Sequence, residues 1–323
     1  MRKAEGLLRR IFLIVMIFFS AASEAESYPA NICPSGYESD RIGSIRILDQ
    51  KELIYPEISG KHFSEISDLA YLNGRHWLFM LSDEGKLFRF RVRFKERIRE
   101  LRPLDANTLR KSNGKKLKRW RRDSEGMTLD GRGRLYVSFE EKPRIARIAY
   151  DGRILRYLPL PPALDKMKKF RDKNKGLEAL AWHPKYGLLT AAEYPVKKSS
   201  AQIQTIYSLT GRRWRFRRGE EKHSAVTAME ILDDGNVLVL ERAYSGPFEP
   251  RVITLREVQI NRCRQGLCPT KVLARFDSGK GWAVDNFEGL AKVGPNRFVM
   301  VSDDNDNFFQ KTLLVYFRVL PGK

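Results

Sequence analysis

Short runs of alternating apolar and polar residues fill most of the chain beyond residue 42. Two of them, "KLFRFRVRF" from Lys86 and "RVITLREVQI" from Arg251, are rich in the residue types that favour strands. Turn-forming pairs such as Asp234-Gly235 separate these runs. Helical periodicity is limited to about residues 105–112 and 163–172. The pattern predicts an all-β protein built from many short antiparallel strands.

One hairpin unit recurs five times and is followed each time by a further strand. The copies are "SDLAYLNGRHWLFMLSDEG", "SEGMTLDGRGRLYVSFEEK", "LEALAWHPKYGLLTAAEYP", "TAMEILDDGNVLVLERAY" and "FEGLAKVGPNRFVMVSDDN". Such a repeat predicts a β-propeller of five or six blades. The segment 42–58 either completes the last blade or supplies part of a sixth. A β-sandwich is the competing all-β fold, but it has no reason to repeat a hairpin with an acid at each end.

The N-terminus has the three parts of a secretory signal peptide. A basic head precedes an apolar run from Ile11 to Phe19, and small residues follow up to Ala25. The run is short for a membrane span, although an uncleaved anchor is the alternative interpretation. We expect residues 1–25 to be removed on export to the periplasm or outside the cell, leaving residues 26–323 as one propeller domain.

The chain is strongly basic, with a formal net charge of +21. Residues 1–25 carry four basic and two acidic side chains, so their removal leaves about +19. The basic residues concentrate in segments 110–122, 166–175 and 212–222. These are read first as solvated loops. They also favour contact with an anionic or phosphorylated small molecule or with an anionic envelope surface. Nucleic acid is not expected, because no nucleic-acid-binding motif accompanies them.

Three cysteines are present in a chain expected to be exported. Cys263 and Cys268 enclose four residues and are predicted to form a disulfide, because close pairs in an oxidising compartment tend to be bridged. Cys33 is then left as a free or intermolecular thiol. The spacing fits no thiolate metal site.

Acids recur at both ends of the repeated hairpin. In four copies they lie fifteen residues apart, as the pairs Asp68 and Asp83, Glu125 and Glu140, Glu178 and Glu193, and Glu288 and Asp303. The fourth copy departs from the pattern, because a turn that is two residues shorter places Ala228 where the first acid should be, while Glu241 is kept. Antiparallel strands bring the two ends of a hairpin together, and the innermost strands of a propeller line its channel. The acids are therefore predicted to converge on one mouth of that channel.

Carboxylates gathered in this way need a cation or hydrogen bonds to offset their repulsion. Calcium is the expected cofactor, because it takes six to eight oxygen ligands in flexible geometry, although magnesium also accepts oxygen ligands. The predicted metal ligands are Asp68, Asp83, Glu140, Glu193, Glu241, Asp303 and Asp304. The predicted catalytic residues are Glu125, Glu178 and Glu288. In the alternative interpretation these acids are structural and bind backbone N–H groups of neighbouring blades or pair with Lys142, Arg242 and similar residues.

Other chemistries lack support in the sequence. It has no G-x-S-x-G, P-loop, G-x-G-x-x-G or H-E-x-x-H motif. His183 precedes a proline and is predicted to be a turn residue. Trp77, Trp182 and Trp282 are predicted to pack between blades.

Several segments resemble a known family. They are "RDSEGMTLDGRGRLYVSFEEKPRIARIAYDG", "MEILDDGNVLVLERAYSG" and "NFEGLAKVGPNRFVMVSDDNDNFFQKTLLVYFRVL". They are similar to the bacterial phytase-like domain labelled "esterase-like activity of phytase", over residues 42–320. The resemblance implies a β-propeller and points to hydrolysis of phosphate or carboxylic esters. It supplies no catalytic residues. The alternative function is a propeller that binds a protein, an envelope polymer or a ligand without catalysis.

Overall fold

The computed structural model describes residues 26–118, 122–172, 176–246 and 249–321, and the predicted signal peptide lies outside them. Five antiparallel sheets form a five-bladed β-propeller. The N-terminal part contributes five strands before the first blade begins. They are β1 (Glu26–Pro29), β2 (Arg41–Ile42), β3 (Ile45–Ile54), β4 (Glu57–Ile58) and β5 (Lys61–His62).

Each blade has four strands in sequence order from the channel outwards. Blade 1 holds β6 (Ile66–Leu72), β7 (Trp77–Ser82), β8 (Lys86–Phe94) and β9 (Ile98–Thr108). Blade 2 holds β10 (Ser124–Leu129), β11 (Leu135–Phe139), β12 (Arg144–Ile148) and β13 (Ile154–Leu158). Blade 3 holds β14 (Leu177–His183), β15 (Gly187–Ala192), β16 (Ile203–Ser208) and β17 (Arg213–Arg217). Blade 4 holds β18 (Ala225–Ile231), β19 (Val237–Ala243), β20 (Val252–Val258) and β21 (Thr270–Asp277).

Blade 5 joins the two ends of the chain. Its inner strands are β22 (Asn286–Gly294), β23 (Arg297–Asp303) and β24 (Leu313–Val319). The fourth strand is β3, which pairs antiparallel with β24 from Ile45 opposite Val319 to Glu52 opposite Leu313. The segment 42–58 therefore completes the last blade, and the blade count is five. Strand β1 adds to the outer edge of β3.

The core is divided into five apolar clusters, one between each pair of neighbouring blades. Phe88 and Phe90 of blade 1 share a cluster with Val299 and Tyr316 of blade 5, and the other blade pairs repeat this arrangement. This follows from the alternation of side chains along a strand, which gives every blade two faces to bury. The apolar runs of the sequence therefore fill the spaces between blades, and their polar partners lie at the edges and loops.

Helix is nearly absent from the described residues. Residues 105–108 belong to β9, so the helix expected over 105–112 is wrong there, because pairing with β8 outweighs local periodicity. The segment 163–172 contains only the single 3-10 turn Met167–Lys169. Within the described ranges, no helix has the length and apolar character needed to cross a membrane.

The structure contains a disulfide between Cys263 and Cys268. The bridge closes the connection between β20 and β21, and Cys268 packs in the cluster between blades 3 and 4. Cys33 is a half-buried free thiol.

Candidate metal centre

Every innermost strand begins with a β-bulge at the same point of its blade. The register between the first two strands shifts there in all five blades. A bulge leaves one residue unpaired and turns its side chain away from the ladder. The bulged residues are Ser67, Glu125, Glu178, Thr227 and Glu288. Three blades therefore place a glutamate at the start of the channel, and two place a hydroxyl group there.

A second ring lies at the ends of the second strands, where each member directly follows the residue that pairs just before the bulge. Its members are Asp83, Glu140, Glu193, Arg242 and Asp303. We call the opening formed by these two rings the mouth. The mouth brings together seven carboxylates and one arginine from five blades.

The fifteen-residue spacing placed two of the acids one position away from these rings. In blade 1 the hairpin of β6 and β7 is one residue longer than in the other blades, so Ser67 and not Asp68 occupies the bulge. In blade 4 Val226 pairs with Glu241, so Thr227 and Arg242 take the ring positions. The fourth hairpin thus has the same length as its neighbours, and the interpretation of a shorter turn with Ala228 at the bulge is wrong.

The electrostatic coupling between the acids shows that they converge. Burial, and then the charges of Glu178 and Glu140, raises the pKa of Glu125 well above its ordinary value. Burial, and then the charges of Glu193 and Glu140, does the same for Glu178. Glu288 contributes to both shifts from across the ring. Carboxylates from blades 2, 3 and 5 therefore share one small volume, as predicted for a common mouth.

Two groups of three carboxylates have the compactness of a cation site. Asp123, Glu125 and Glu140 form one, and Glu140, Glu178 and Glu193 form the other. In each, one oxygen per residue lies within 4.8 Å of the others. Glu140 belongs to both groups and also accepts a hydrogen bond of 2.9 Å from the Gly176 backbone N–H. The all-oxygen donor set suits hard divalent cations.

Arg242 is the cation that the protein itself supplies to the mouth. Its guanidinium donates to Glu288 and, at 2.6 Å, to the Asn286 side chain. It also pairs with Glu193 at 3.3 Å. These carboxylates raise the pKa of the Arg242 guanidinium despite its burial. Within the two rings one positive charge is thus set against seven acids.

The blade-1 side of the mouth has an incompletely bonded carboxylate. Burial, and then the charges of Glu65 and Glu288, raises the pKa of Asp83 to about 7. Its buried Oδ1 has no hydrogen-bond partner in the part of the chain that the structure describes. Asp303 is buried beside it, and its pKa is raised by burial and then by the charge of Glu288. A buried oxygen without a donor is a position where a cation or water would be stabilised.

Three predicted ligands are already bonded elsewhere. Asp68 lies next to the bulge on the channel axis and accepts hydrogen bonds from Leu69, Met127 and Leu290 N–H groups at 2.6–3.0 Å. It thereby ties blades 1, 2 and 5 together. Burial outweighs these bonds and raises its pKa.

Glu241 pairs with Arg256 at 2.7 Å and accepts from Gly219 N–H. Asp304 accepts from Glu65 N–H and from the Thr312 hydroxyl at 2.8 Å. Asp68, Glu241 and Asp304 therefore have the structural role that the alternative interpretation gives to strand-end acids. The other seven predicted residues lie in the two rings of the mouth.

Sequence reasoning did not single out Asp123, which the structure places at the mouth. It named Arg242 as an ion-pair partner of strand-end acids, which the pairs with Glu193 and Glu288 confirm, but not as a member of the second ring. The acid of "RDSEG", two residues before Glu125, was the available signal for Asp123. The signal for Arg242 was its spacing of fifteen residues from Thr227, which equals the spacing of the acid pairs.

A cavity of about 560 Å³ opens at the opposite end of the channel. Its lining includes Glu230, Lys292 and Trp182 from three innermost strands. Trp182 thus faces a cavity as well as packing between blades. His183 stabilises its turn as predicted, since its Nδ1 accepts from the Lys185 and Tyr186 N–H groups.

A five-bladed all-β propeller with a carboxylate-lined channel mouth is the class that this fold and site define. Over residues 61–306 the sequence matches the family described as phytase-like, "esterase-like activity of phytase", and the chain belongs to that family. This confirms the family and fold predicted from the repeated hairpins. No curated protein matches the chain.

Solved propeller structures resemble the chain at low identity. Aldose sugar dehydrogenase from Streptomyces coelicolor, with PQQ bound, is 11% identical at a TM-score of 0.44, covering 85% of this chain and 98% of that one. A catalytically inactive virginiamycin B lyase from Staphylococcus aureus, with quinupristin, is 9% identical at 0.45, covering 92% and 100%. A protein of unknown function from Bacteroides caccae is 11% identical at 0.39, covering 80% and 81%. Likeness at this level says nothing about substrate.

Proposed function

We propose that this phytase-like propeller is an exported, metal-assisted hydrolase of phosphate or carboxylic esters that works at the acidic mouth. The observation that carries the proposal is the pair of carboxylate groups that share Glu140. Seven acids set against one arginine are costly to hold together unless further positive charge enters. The buried, unbonded Oδ1 of Asp83 adds a vacant acceptor on the other side of the ring.

The donor set fits Ca²⁺. Asp123, Glu125, Glu140, Glu178 and Glu193 would hold the ion, and all offer carboxylate oxygens from strand ends that the blades keep in place. The ion would supply positive charge to neutralise substrate oxygens and to orient a water molecule. Mg²⁺ demands a stricter octahedral arrangement, and five blades around an axis do not readily provide it.

The raised pKa values give the glutamates two complementary roles. Burial and the charge of Glu140 raise the pKa of both Glu125 and Glu178, and the charge of Glu178 adds to the shift of Glu125, so that one of the two can hold a proton while the other is ionised. The ionised group accepts a proton from water as the water oxygen forms a bond to phosphorus or to the acyl carbon. The protonated group donates its proton to the leaving alkoxide as the ester bond breaks. Glu288 is held in place by Arg242 and Asn286, and its negative charge balances that of the Arg242 guanidinium.

Ester hydrolysis with and without metal tests the proposal. Two assays measure turnover: release of phosphate from phytate or p-nitrophenyl phosphate, and release of p-nitrophenol from a carboxylic ester. We expect a chelator that removes the metal to abolish this activity and added calcium to restore it. Glu125→Gln and Glu178→Gln should each lower kcat at least about 100-fold, the usual scale for a lost acid or base. Glu241→Gln, outside the two rings, is the matched control. The folded fraction of this variant should hydrolyse the ester with the wild-type kcat. Unchanged turnover in both ring variants would remove the proposed machinery.

The second candidate is a propeller that binds a ligand or polymer without catalysis. It is favoured by the internal bonds of Asp68, Glu241 and Asp304, which show that part of the acid set is structural. Calcium binding by calorimetry together with no turnover on any ester would support this function. Absence of binding at millimolar calcium would contradict a metal role in either function.

A further inference from the structure

Two adjacent phenylalanines are fully presented to solvent at one loop tip. Phe308 is 96% exposed and Phe309 is 86% exposed, whereas the other exposed large apolar side chains among the described residues do not exceed half. Their rings pack edge to face with centroids 5.7 Å apart. Isolated exposed apolar residues are ordinary, but a pair of this size at a protruding tip indicates a contact with something apolar.

The loop that carries them is held in a defined shape. Asn305 N–H donates to Asp303, and Gln310 N–H donates to the Asn307 carbonyl. Phe309 N–H donates to the Asn307 side chain. The Gln310 side chain donates to Asp285 at 2.9 Å, so the tip is fastened to the connection before β22. The exposure of the two rings is therefore a feature of a bonded loop.

Topology places this tip on the face that contains the mouth. In every blade the connection from the second to the third strand leaves the sheet at the mouth end, and residues 304–312 are that connection in blade 5. Residues 193–202 are the same connection in blade 3. The two loops therefore lie on one face of the disc.

The blade-3 side of this face carries a lysine-lined groove of about 680 Å³. The Lys197 N–H donates to the Lys169 carbonyl, which joins the blade-3 loop to the segment that precedes β14. The groove has an apolar component from Pro162, Ala163 and Val196. Its basic lining is Lys166, Lys168, Lys169, Lys197 and Lys198. Lys169 is paired with Asp165, and the other four lysines form no ion pair with another described residue.

We propose that the mouth face docks on an anionic phospholipid bilayer, with Phe308 and Phe309 entering the interfacial region and the lysine groove contacting headgroups. Aromatic side chains settle at the membrane interface, and basic clusters are attracted to anionic lipid surfaces. Two acids near the tip have partners within the protein, since Asp306 contacts the His62 ring at 2.8 Å and Asp304 accepts a hydrogen bond from the Thr312 hydroxyl. The net charge of the chain supports the same partner.

Flotation with vesicles tests the proposal using residues 26–323. Vesicles of phosphatidylcholine alone are compared with vesicles in which half the lipid is phosphatidylglycerol, each at low and at physiological salt. We expect at least tenfold more bound protein on the anionic vesicles, with a loss at higher salt. Equal binding to both vesicles, or no binding to the anionic ones, overturns the proposal.

Paired variants separate the two parts of the surface. Phe308→Ser with Phe309→Ser should lower binding at least tenfold, whereas Tyr157→Ser with Val272→Ser, on outermost strands, should not. Lys197→Glu with Lys198→Glu should abolish binding. The double variant Arg156→Glu with Lys271→Glu, on outermost strands, makes the same charge change and should keep most of the vesicle binding. All eight positions are at the surface, and matching thermal melts would establish folding. Binding that falls equally in test and control variants contradicts a defined docking face.

Discussion

At the scale of single residues, Arg242 replaces an acid in an otherwise acidic ring. It occupies in blade 4 the position that Asp83, Glu140, Glu193 and Asp303 occupy in the others. Its pairs with Glu288 and Glu193 are largely buried, and a broken buried pair costs far more than an exposed one. Arg242 therefore offsets part of the repulsion between the carboxylates that the blades bring together at the mouth.

Arg242→Met should lower the unfolding free energy of metal-free protein by about 3–5 kcal/mol, because two buried carboxylates lose their partner. Calcium should recover much of this loss and should bind the variant more tightly than wild type. Denaturant melts with chelator and with calcium measure both effects.

Arg256→Met is the control for this prediction, since it breaks the buried pair with Glu241 outside the rings. It should cost a similar amount that calcium does not restore. Equal rescue of the two variants would show that calcium acts elsewhere.

The acids at the mouth also predict how stability depends on pH. The folded chain raises the pKa of Asp83 from 3.8 to about 7, and it raises those of Glu125, Glu178 and Asp303 in the same direction. Between these folded and unfolded values the folded state holds more protons than the unfolded state. Its stability is therefore present at low pH and is lost as pH rises through the folded pKa values.

Metal-free protein should accordingly become less stable from about pH 4 to pH 7 through Asp83, by up to about 1.4 kcal/mol per pH unit, and the other three carboxyls act in the same direction. Saturating calcium should flatten this dependence, because it favours the ionised carboxylates. Chemical melts at several pH values, with and without calcium, measure it. A metal-free protein that gains stability toward pH 8 would contradict the assignment of these groups.

At the scale of elements, the bulge in each inner strand places the site, and a glycine makes room for it in blade 2. A Cβ on Gly126 would meet the Glu178 carbonyl and lie 2.7 Å from the Ser138 hydroxyl. Blades 2 and 3 approach so closely there that the side chain of any other residue would force them apart.

Gly126→Ala should cost at least about 2 kcal/mol of unfolding free energy through overpacking, and it should weaken calcium binding by shifting Glu125 against Glu178. Gly131→Ala is the matched control, because its Cβ would meet only Trp182 Nε1 at 3.6 Å. Thermal melts and calcium titration compare the two. A variant at position 126 as stable as the control would contradict the close approach of the blades.

The hairpins also show how far the sequence predicts the site. The repeat, the fold and the convergence of Glu125, Glu178 and Glu288 follow from strand periodicity and from equal spacing. The identity of the ring positions does not, because one extra residue in the hairpin of β6 and β7 moves the bulge from Asp68 to Ser67. A one-residue shift in a strand changes which side chain faces the channel, and hairpin length decides that shift locally.

At the scale of the whole molecule, stability depends on β3 covering β24. Without it, blade 5 would present a long apolar edge of unpaired backbone groups. A chain that begins at residue 56 should therefore fail to fold cooperatively and should aggregate. A chain that begins at residue 41 keeps β3 and should fold with reduced stability.

Size-exclusion chromatography and far-UV circular dichroism distinguish the two truncated chains. Since the shorter deletion removes β1 and the packing of Ile32, some loss is expected even there. A monomeric, cooperatively melting chain without residues 26–55 would contradict the closing role of β3.

The pairing of β3 with β24 has a consequence for biosynthesis. More than two hundred residues separate these partners along the chain, so the ring has no complete fifth blade until the last strand has left the ribosome. Until then the ring cannot close, and the earlier blades wait for their last partner. The same connectivity that closes the finished disc thus delays its closure until synthesis is complete, which is compatible with the proposed export.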